Sequence, residues 1–149
     1  TRDIAHQIVR HRSFSFQEFS QRYANPQDMQ DAFTYREPRL QDTKNRQNSI
    51  EVQDTKLEMD WGHYQKKVIE TSKQAYDWAI ANGIAKEQAR VVLPEGLTKT
   101  RLYMNGTLRS WVHYIELRGA NGTQKEHMDI AHECAKVIAK VFPLVTNLT

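Results

Sequence analysis

A long amphipathic segment at residues 61–82 limits the folds open to this chain more than any other feature. Its apolar residues recur at intervals of three and four, which is the spacing of one face of an α-helix. They are Trp61, Tyr64, Val68, Ala75, Tyr76, Ala79 and Ile80. Gly83 follows directly and is typical of a helix C-terminus. The pattern predicts one long helix whose aromatic side chains lie in a core or a subunit interface.

Shorter periodic segments predict helices at residues 1–9, 84–92 and 107–117, and a last helix that stops before Pro143. The buried side of the helix at residues 107–117 is expected to carry Leu108, Trp111, Val112 and Ile115. That of the last helix is expected to carry Met128, Ala131, Cys134, Ala135, Ile138, Val141 and Phe142. Thr123 and Glu126 have the spacing of a capping box at its start. Residues 97–105 favour a strand by residue type.

The length of 149 residues fits a single domain with a modest core. No segment approaches the roughly 20 apolar residues that span a bilayer, and no secretory signal stands at the N-terminus, so we expect a soluble intracellular protein. Cys134 is the only cysteine, which excludes an intrachain disulfide and a cysteine-based zinc cluster. We predict no metal site. The net charge of +3 favours anionic ligands, but it is a small excess for a sequence-independent nucleic-acid binder.

Between residues 24 and 60 the apolar periodicity disappears, and Gln, Asp, Asn, Arg and Lys dominate. A loop of this length is uncommon inside a compact domain and is usually functional or disordered. The low hydrophobicity of the segment is compatible with both alternatives.

The segment at residues 7–23 has the chemistry of an anion-binding site. Arg10-His11-Arg12 stands where the first helix ends, and cations there also complement the helix dipole, so the triplet alone is compatible with a solvated helix end. Glu18, Ser20 and Arg22 then alternate as on an extended segment, between aromatic residues. Arginine and serine can hold phosphate, and a carboxylate can orient arginines. The chain has neither a GxGxxG nor a P-loop pattern, so phosphate must be held by such side chains and by the backbone.

Arg10-His11-Arg12, seven residues and then Ser20, with Gln7 and Arg22-Tyr23 as flanks, resembles the signature of the flavin-dependent thymidylate synthases. Residues 39–49, 89–94 and 106–126 agree with that family in order and character, so the resemblance covers nearly the whole chain. It implies an α+β fold of long helices packed with an antiparallel sheet. It also implies a segment preceding Thr1, and it places the polar run Lys44 to Gln47 in a loop near the active site.

The activity implied by the resemblance is reductive methylation of dUMP to dTMP. Methylenetetrahydrofolate supplies the carbon, and NADPH reduces a bound FAD that provides the hydride. Relatives are homotetramers with shared active sites. A cytoplasmic location follows from the same resemblance, or the host cytoplasm if the protein is encoded by a virus.

The resemblance also implies a role for individual residues. Arg10, His11 and Arg12 would hold the flavin, together with Glu18 and with His113, which by its position alone is equally compatible with a surface histidine. Gln7, Glu18, Ser20, Arg22 and Arg90 would bind the phosphate and sugar of dUMP. Arg118, which closes its helix, would contact the uracil and polarise a carbonyl as the catalytic residue.

We do not expect Ser20 or Cys134 to act as a nucleophile, and we interpret Ser20 as a binding hydroxyl. The sequence places no histidine or lysine base beside Ser20, and Cys134 lies on an apolar stripe without a basic neighbour. Two alternatives to an enzyme stay open: a non-catalytic nucleic-acid binder that uses the segment from Arg10 to Arg22, and a fragment that forms only the oligomerisation core of a larger enzyme.

Overall fold

The computed structural model describes residues 1–22 and 32–143, and the chain divides into two compact units. Unit 1 comprises Thr1–Ala5, Gln17–Pro38 and Val52–Tyr103, and unit 2 comprises His6–Phe16, Arg39–Glu51 and Met104–Thr149. Tyr23 of the predicted anion-binding segment and residues 24–31 of the predicted polar loop lie outside the described residues.

The described chain contains five helices and short strands that pair in small sheets, and the predicted α+β class is confirmed. The elements are α1 (Arg2–Ile8), β1 (Ser15–Glu18), β2 (Arg39–Gln41), β3 (Ser49–Glu51), α2 (Thr55–Ala81), α3 (Lys86–Ala89), a 3-10 turn (Arg90–Val92), β4 (Leu102–Asn105), α4 (Leu108–Arg118) and α5 (Lys125–Ala139). One two-stranded sheet pairs β1 with β4, and the other pairs β2 with β3. Within the two described ranges, no helix is both long and apolar enough to cross a bilayer.

Helix α2 of unit 1 is the long helix predicted from the apolar period, but it starts earlier than predicted. The Asp54 carboxylate accepts a hydrogen bond from the Leu57 N–H at 3.0 Å and so caps the helix before the first aromatic residue. At the other end Gly83 has a φ of 75°, which is the predicted left-handed stop. Tyr76 and Ala79 are buried with Ala89 and Leu93 in the core of this unit.

The N-terminal half of α2 contributes little to that core. Its aromatic side chains were predicted to lie in a core or in a subunit interface, and the first of these two predictions is wrong for this half. Trp61, Tyr64 and Val68 are 43%, 63% and 46% exposed. The buried residue in this half is Gln65, whose side chain accepts from the Arg36 N–H at 2.8 Å and donates to the Arg36 carbonyl at 2.9 Å. Two hydrogen bonds therefore take the place of apolar packing in this half of the helix, and they fix the segment around Arg36 to the helix.

The described part of the polar region, predicted as a loop or as disorder, contains a β-hairpin in unit 2. Strands β2 and β3 pair antiparallel, with Arg39 opposite Glu51. Asp42 accepts from the backbone N–H groups of Lys44 and Asn45 at 2.8 and 3.1 Å. Gln41 donates to backbone carbonyls of the same turn. Side-chain hydrogen bonds to the backbone order this segment, and they leave no apolar period in the sequence.

The core of unit 2 lies between α4 and α5. It contains Phe14, Tyr114, Ile115, Ala131 and Ala135, with Trp111 and Ile138 packed against it. Three residues predicted to be buried are exposed instead, namely Leu108, Val141 and Phe142 at 42%, 72% and 48%. Tyr114 and His127, which the prediction did not include, are buried at 1% and 0% exposure.

The capping box predicted at the start of α5 is wrong. Gln124 occupies the N-cap position, and its side chain makes no capping hydrogen bond to the helix backbone. The Thr123 hydroxyl donates to the Leu117 carbonyl at 3.4 Å, and the Glu126 carboxylate accepts from Arg39 and Gln124. Both residues of the predicted box are thus committed to other partners.

A methyl group at Gly106 should destabilise unit 2. A Cβ built there would lie 2.4 Å from Cδ1 of Phe14, whose ring is buried in the core and cannot move away freely. We expect Gly106→Ala to lower the free energy of unfolding by about 1–3 kcal/mol. The matched control is Gly62→Ala inside α2, where a Cβ meets nothing within 4 Å and should raise stability by about 0.5–1 kcal/mol. Urea denaturation of both variants measures this, and equal shifts would contradict it.

Candidate functional site

In unit 2 the structure brings His11 and Arg118 together from positions far apart in the chain. His11 follows α1, and Arg118 is the last residue of α4, as predicted. The Arg118 Nε donates a hydrogen bond to His11 Nε2 at 2.9 Å. A nitrogen that accepts carries no proton, so His11 is neutral, with its hydrogen on Nδ1. Burial, together with the charge of Arg118, lowers the pKa of His11 and maintains that state.

Aromatic rings pack against His11 and against one another. The Tyr114 ring meets His11 edge to face, with centroids 5.0 Å apart and planes at 80°. Phe14 and Trp111 contact Tyr114 in the same manner, at 6.0 and 5.9 Å. Edge-to-face packing of buried rings leaves little rotational freedom. His11 therefore presents Arg118 with an acceptor in a fixed place.

A second histidine lies beneath this pair. His127 Nε2 is 3.0 Å from the Tyr114 hydroxyl, and its Nδ1 is 3.2 Å from Gln7 Oε1. Burial lowers the pKa of His127 to about 4, with a contribution from the charge of Arg118. Burial also raises the pKa of the Tyr114 phenol, which stays protonated. Gln7, His11, Tyr114, Arg118 and His127 together form the unit-2 cluster.

In unit 1 two arginines of the predicted site approach the same residue. Arg22 Nη2 lies 3.5 Å from the Glu87 carboxylate, and Arg90 Nε donates to the Glu87 carbonyl at 3.2 Å. Arg90 belongs to the 3-10 turn that follows α3, and the Ser20 hydroxyl accepts from the Arg22 N–H at 3.4 Å. Two guanidinium groups and a hydroxyl thus occur in one region of unit 1, a combination suited to phosphate.

Glu18, at the end of β1, is held by two donors in the same unit. Its Oε1 accepts from Arg2 Nη1 at 3.0 Å and from the Thr100 hydroxyl at 2.9 Å. The carboxylate is about a quarter exposed, at 26%. Its position is fixed by these contacts, and part of the group faces solvent.

The other predicted cofactor residues lie at the surface. Arg10 and Arg12 are exposed on either side of His11. His113 lies on the exposed face of α4 with its side chain 72% accessible, and its Nδ1 is 3.7 Å from Glu116. These three side chains are therefore accessible to a ligand.

Tyr114 and His127 are the site residues that the sequence reasoning missed. His127 precedes Ala131 by four residues and Ala135 by eight, so it lies on the same helical face as two predicted core residues. A polar residue on a buried face requires a hydrogen-bond partner. That register was visible in the sequence and is the signal that could have identified His127.

Known proteins match nearly the whole of this chain. A family model described as thymidylate synthase complementing protein matches residues 1–144. A probable flavin-dependent thymidylate synthase of Paramecium bursaria Chlorella virus 1 is 47% identical over 147 residues, which is 99% of this chain and 66% of the relative. The flavin-dependent thymidylate synthase of Synechocystis is 50% identical over 145 residues, which is 97% of this chain and 65% of the relative.

Among solved structures, a UMP/dUMP methylase, PolB from Streptomyces cacaoi, bound with 5-Br dUMP, superposes with a TM-score of 0.78. It is 24% identical and matches 99% of this chain and 65% of that protein, which establishes a shared fold. The chain thus spans just under two thirds of the length of these relatives. The match over residues 1–144 confirms the resemblance seen in the sequence, and the chain belongs to the thymidylate synthase complementing protein family.

Proposed function

We propose that this protein is a flavin-dependent thymidylate synthase that methylates dUMP to dTMP. The observation that carries the proposal is the hydrogen bond from Arg118 to His11, which joins residues 107 positions apart. The family resemblance assigns both to the active site, and Gln7, a third assigned residue, belongs to the same cluster. Methylenetetrahydrofolate would supply the carbon and NADPH the reducing equivalents.

The exposed residues after α1 fit a flavin dinucleotide by their chemistry. Arg10 and Arg12 offer guanidinium groups suited to a pyrophosphate, and His11 stands between them with a ring nitrogen that carries a proton. We propose that these three residues hold FAD, with Glu18 and His113 as further contacts. When bound and reduced, FAD supplies the hydride of the reaction.

For dUMP, we propose that Arg22, Arg90 and Ser20 bind the phosphate and that Glu18 and Gln7 bind the sugar or base. Arg118 would contact the uracil. Its Nε is committed to His11, which leaves the terminal nitrogens to face a carbonyl oxygen of the ring. A guanidinium placed there stabilises the negative charge that the ring gains as carbon is added.

Homotetramer formation is part of the proposal. The exposed apolar side chains of Trp61, Tyr64 and Val68 follow one another on α2 at the spacing of one helical face, and an exposed apolar patch is a candidate for a contact between proteins. Burial between subunits would remove it from water.

The first test is the visible absorption spectrum of the purified protein, desalted after incubation with FAD. A retained flavin band that shifts on addition of dUMP is expected, followed by dTMP formation when methylenetetrahydrofolate and NADPH are supplied. A protein that retains no flavin and forms no dTMP would overturn the proposal. If that protein also bound single-stranded DNA with affinity falling steeply with salt, nucleic-acid binding would replace it.

Replacement of the single cysteine should leave the reaction nearly intact. Burial, with the Glu133 charge beside it, raises the pKa of the Cys134 thiol, so little nucleophilic thiolate exists at neutral pH. We expect Cys134→Ser to keep dTMP formation within about twofold of wild type, because a hydride mechanism needs no protein thiol. Loss of turnover with an unchanged unfolding midpoint would instead revive a thiol mechanism.

A further inference from the structure

A continuous chain of hydrogen bonds crosses unit 2 and ends at a carboxylate. Glu126 accepts from the Arg39 guanidinium on Oε1 and from Gln124 Nε2 on Oε2, at 2.9 Å. Burial alone would raise the pKa of Glu126, but hydrogen bonds from its own backbone N–H, Arg39 and Gln124 hold that pKa below its ordinary value. An ionised carboxylate accepts hydrogen bonds and cannot donate them.

Because the Glu126 carboxylate can only accept, it fixes the donor and the acceptor in each of the other hydrogen bonds of the series. The Gln124 amide nitrogen faces Glu126, so its oxygen faces Gln7 and accepts from Gln7 Nε2 at 2.7 Å. Gln7 Oε1 then faces His127, and because an amide oxygen only accepts, His127 Nδ1 must donate. The neutral ring accepts at Nε2 from the Tyr114 hydroxyl. All the donors point toward Glu126.

We propose that this series of hydrogen bonds determines which way the Gln7 amide faces. His127 is the positioning residue that holds the Gln7 amide in that orientation. Gln7 is partly exposed, whereas His127 is fully buried and can reach a ligand only through its neighbours. The inference rests on the proposed function in one respect, namely that the ligand presented to Gln7 is a pyrimidine nucleotide.

The orientation matters because the two ends of a carboxamide have the same shape and opposite hydrogen-bonding character. A rotated Gln7 would place its oxygen against the oxygen of Gln124, whose amide is held by the Glu126 carboxylate. It would also place its N–H group against the His127 N–H, unless the imidazole moved its proton to Nε2 and the Tyr114 hydroxyl became the acceptor. Buried polar groups without partners are strongly disfavoured. The network therefore presents a ligand with one defined arrangement of donor and acceptor. The Gln7 amide is already oriented before binding, so ligand binding does not have to order it.

Two substitutions of His127 separate positioning from packing. Asparagine carries its amide on Cγ, where histidine carries Nδ1, so His127→Asn can retain the donor to Gln7. Glutamine carries its amide one carbon further, near the place of Nε2, so His127→Gln keeps a partner for Tyr114 and loses the donor. The matched control is His132→Gln on the same helix, where the imidazole pairs with the Gly119 carbonyl at 3.2 Å and not with Gln7.

The first measurement needs no ligand. In protein labelled with 15N-glutamine, the Gln7 side-chain amide signals are assigned by their loss in Gln7→Ala. We expect His127→Asn and His132→Gln to leave them in place and His127→Gln to displace them. Glu126→Gln, which turns the terminal acceptor into a group that can also donate, provides a second variant should His127→Gln fail to fold, and it should displace them too. Gln7 signals unmoved in the folded variants would overturn the inference.

The second measurement is a double-mutant cycle on the dissociation constant for dUMP. His127→Gln should weaken dUMP binding by about 3- to 10-fold, and it should have no further effect in a Gln7→Ala background. Independent, multiplicative effects of the two substitutions would overturn the positioning role. A wild-type protein that does not bind dUMP, with Gln7 signals that move as expected, would instead count against the proposed function and leave the positioning role standing.

Discussion

Replacing Arg118 by alanine should lower the kcat for dTMP formation by about 100- to 1,000-fold, the loss that follows removal of one donor to a developing oxyanion. The guanidinium is anchored by its Nε on His11, so its terminal nitrogens are held in place before a ligand arrives. Pre-arranged donors cost no reorganisation at the moment of reaction, which is why a single group can have so large an effect. The rate of dTMP formation at saturating dUMP measures it.

Two further variants make the Arg118 result specific. Arg118→Lys keeps the charge but has no second nitrogen to donate to His11 while it faces a ligand, so we expect it to recover little of the loss. Arg109→Ala removes an exposed arginine from the same helix and should leave turnover unchanged. Turnover of Arg118→Ala near the wild-type rate, with an intact circular dichroism spectrum, would remove Arg118 from the site.

The helical part of the fold could be predicted from the sequence because apolar side chains on a buried face repeat with the helix. α2 and α4 were located in this way, and so was the end of α2 at Gly83. The β2–β3 hairpin could not be found, because Gln41 and Asp42 stabilise it by hydrogen bonds to the backbone. A segment that is ordered by polar side chains has the same amino-acid composition as a disordered segment, so composition cannot distinguish the two.

The candidate site was predictable as a set of residues and not as a geometry. The family resemblance pointed to Gln7, His11 and Arg118, yet no sequence pattern shows that Arg118 donates to His11 or that Gln7 is held from below. Contacts between residues more than a hundred positions apart are decided by the packing of α4 and α5. The buried His127 and Tyr114 follow from the same packing, which is why residue-type reasoning assigned the inner face of α5 to apolar residues alone.

The buried His127 should make the stability of the protein depend on pH in a range where carboxyl groups contribute little. In the folded chain burial lowers its pKa to about 4, whereas in the unfolded chain the imidazole titrates near 6.5. Below pH 6.5 the unfolded state therefore binds a proton that the folded state excludes. As pH decreases, the free energy of unfolding should fall at up to about 1.4 kcal/mol per pH unit, and by about 1.5 kcal/mol in total between pH 6.5 and 5.

The sign follows from which state is protonated. Well above pH 6.5 the ring is neutral in both states and contributes no slope, and well below pH 4 it is charged in both. His11, whose pKa is also lowered by burial and by Arg118, adds to the slope in the same direction. Hydrogen bonds lower the pKa values of Asp3 and Glu126, so those carboxyl groups lose their stabilising effect only at more acidic pH. The interval from pH 6.5 to 5 therefore reports mainly on the buried His127 and the partly buried His11.

Urea denaturation at several pH values, on wild type and on two variants, isolates the part due to His127. His127→Asn removes the titrating ring, so its free energy of unfolding should fall less than that of wild type as pH decreases toward 5. His63→Gln removes an exposed imidazole of α2 and serves as the control for losing any histidine. Should His127→Asn retain the full wild-type slope, the ring would be accessible to protons in the folded state. The neutral Nδ1–H form that donates to Gln7 would then not be fixed by burial.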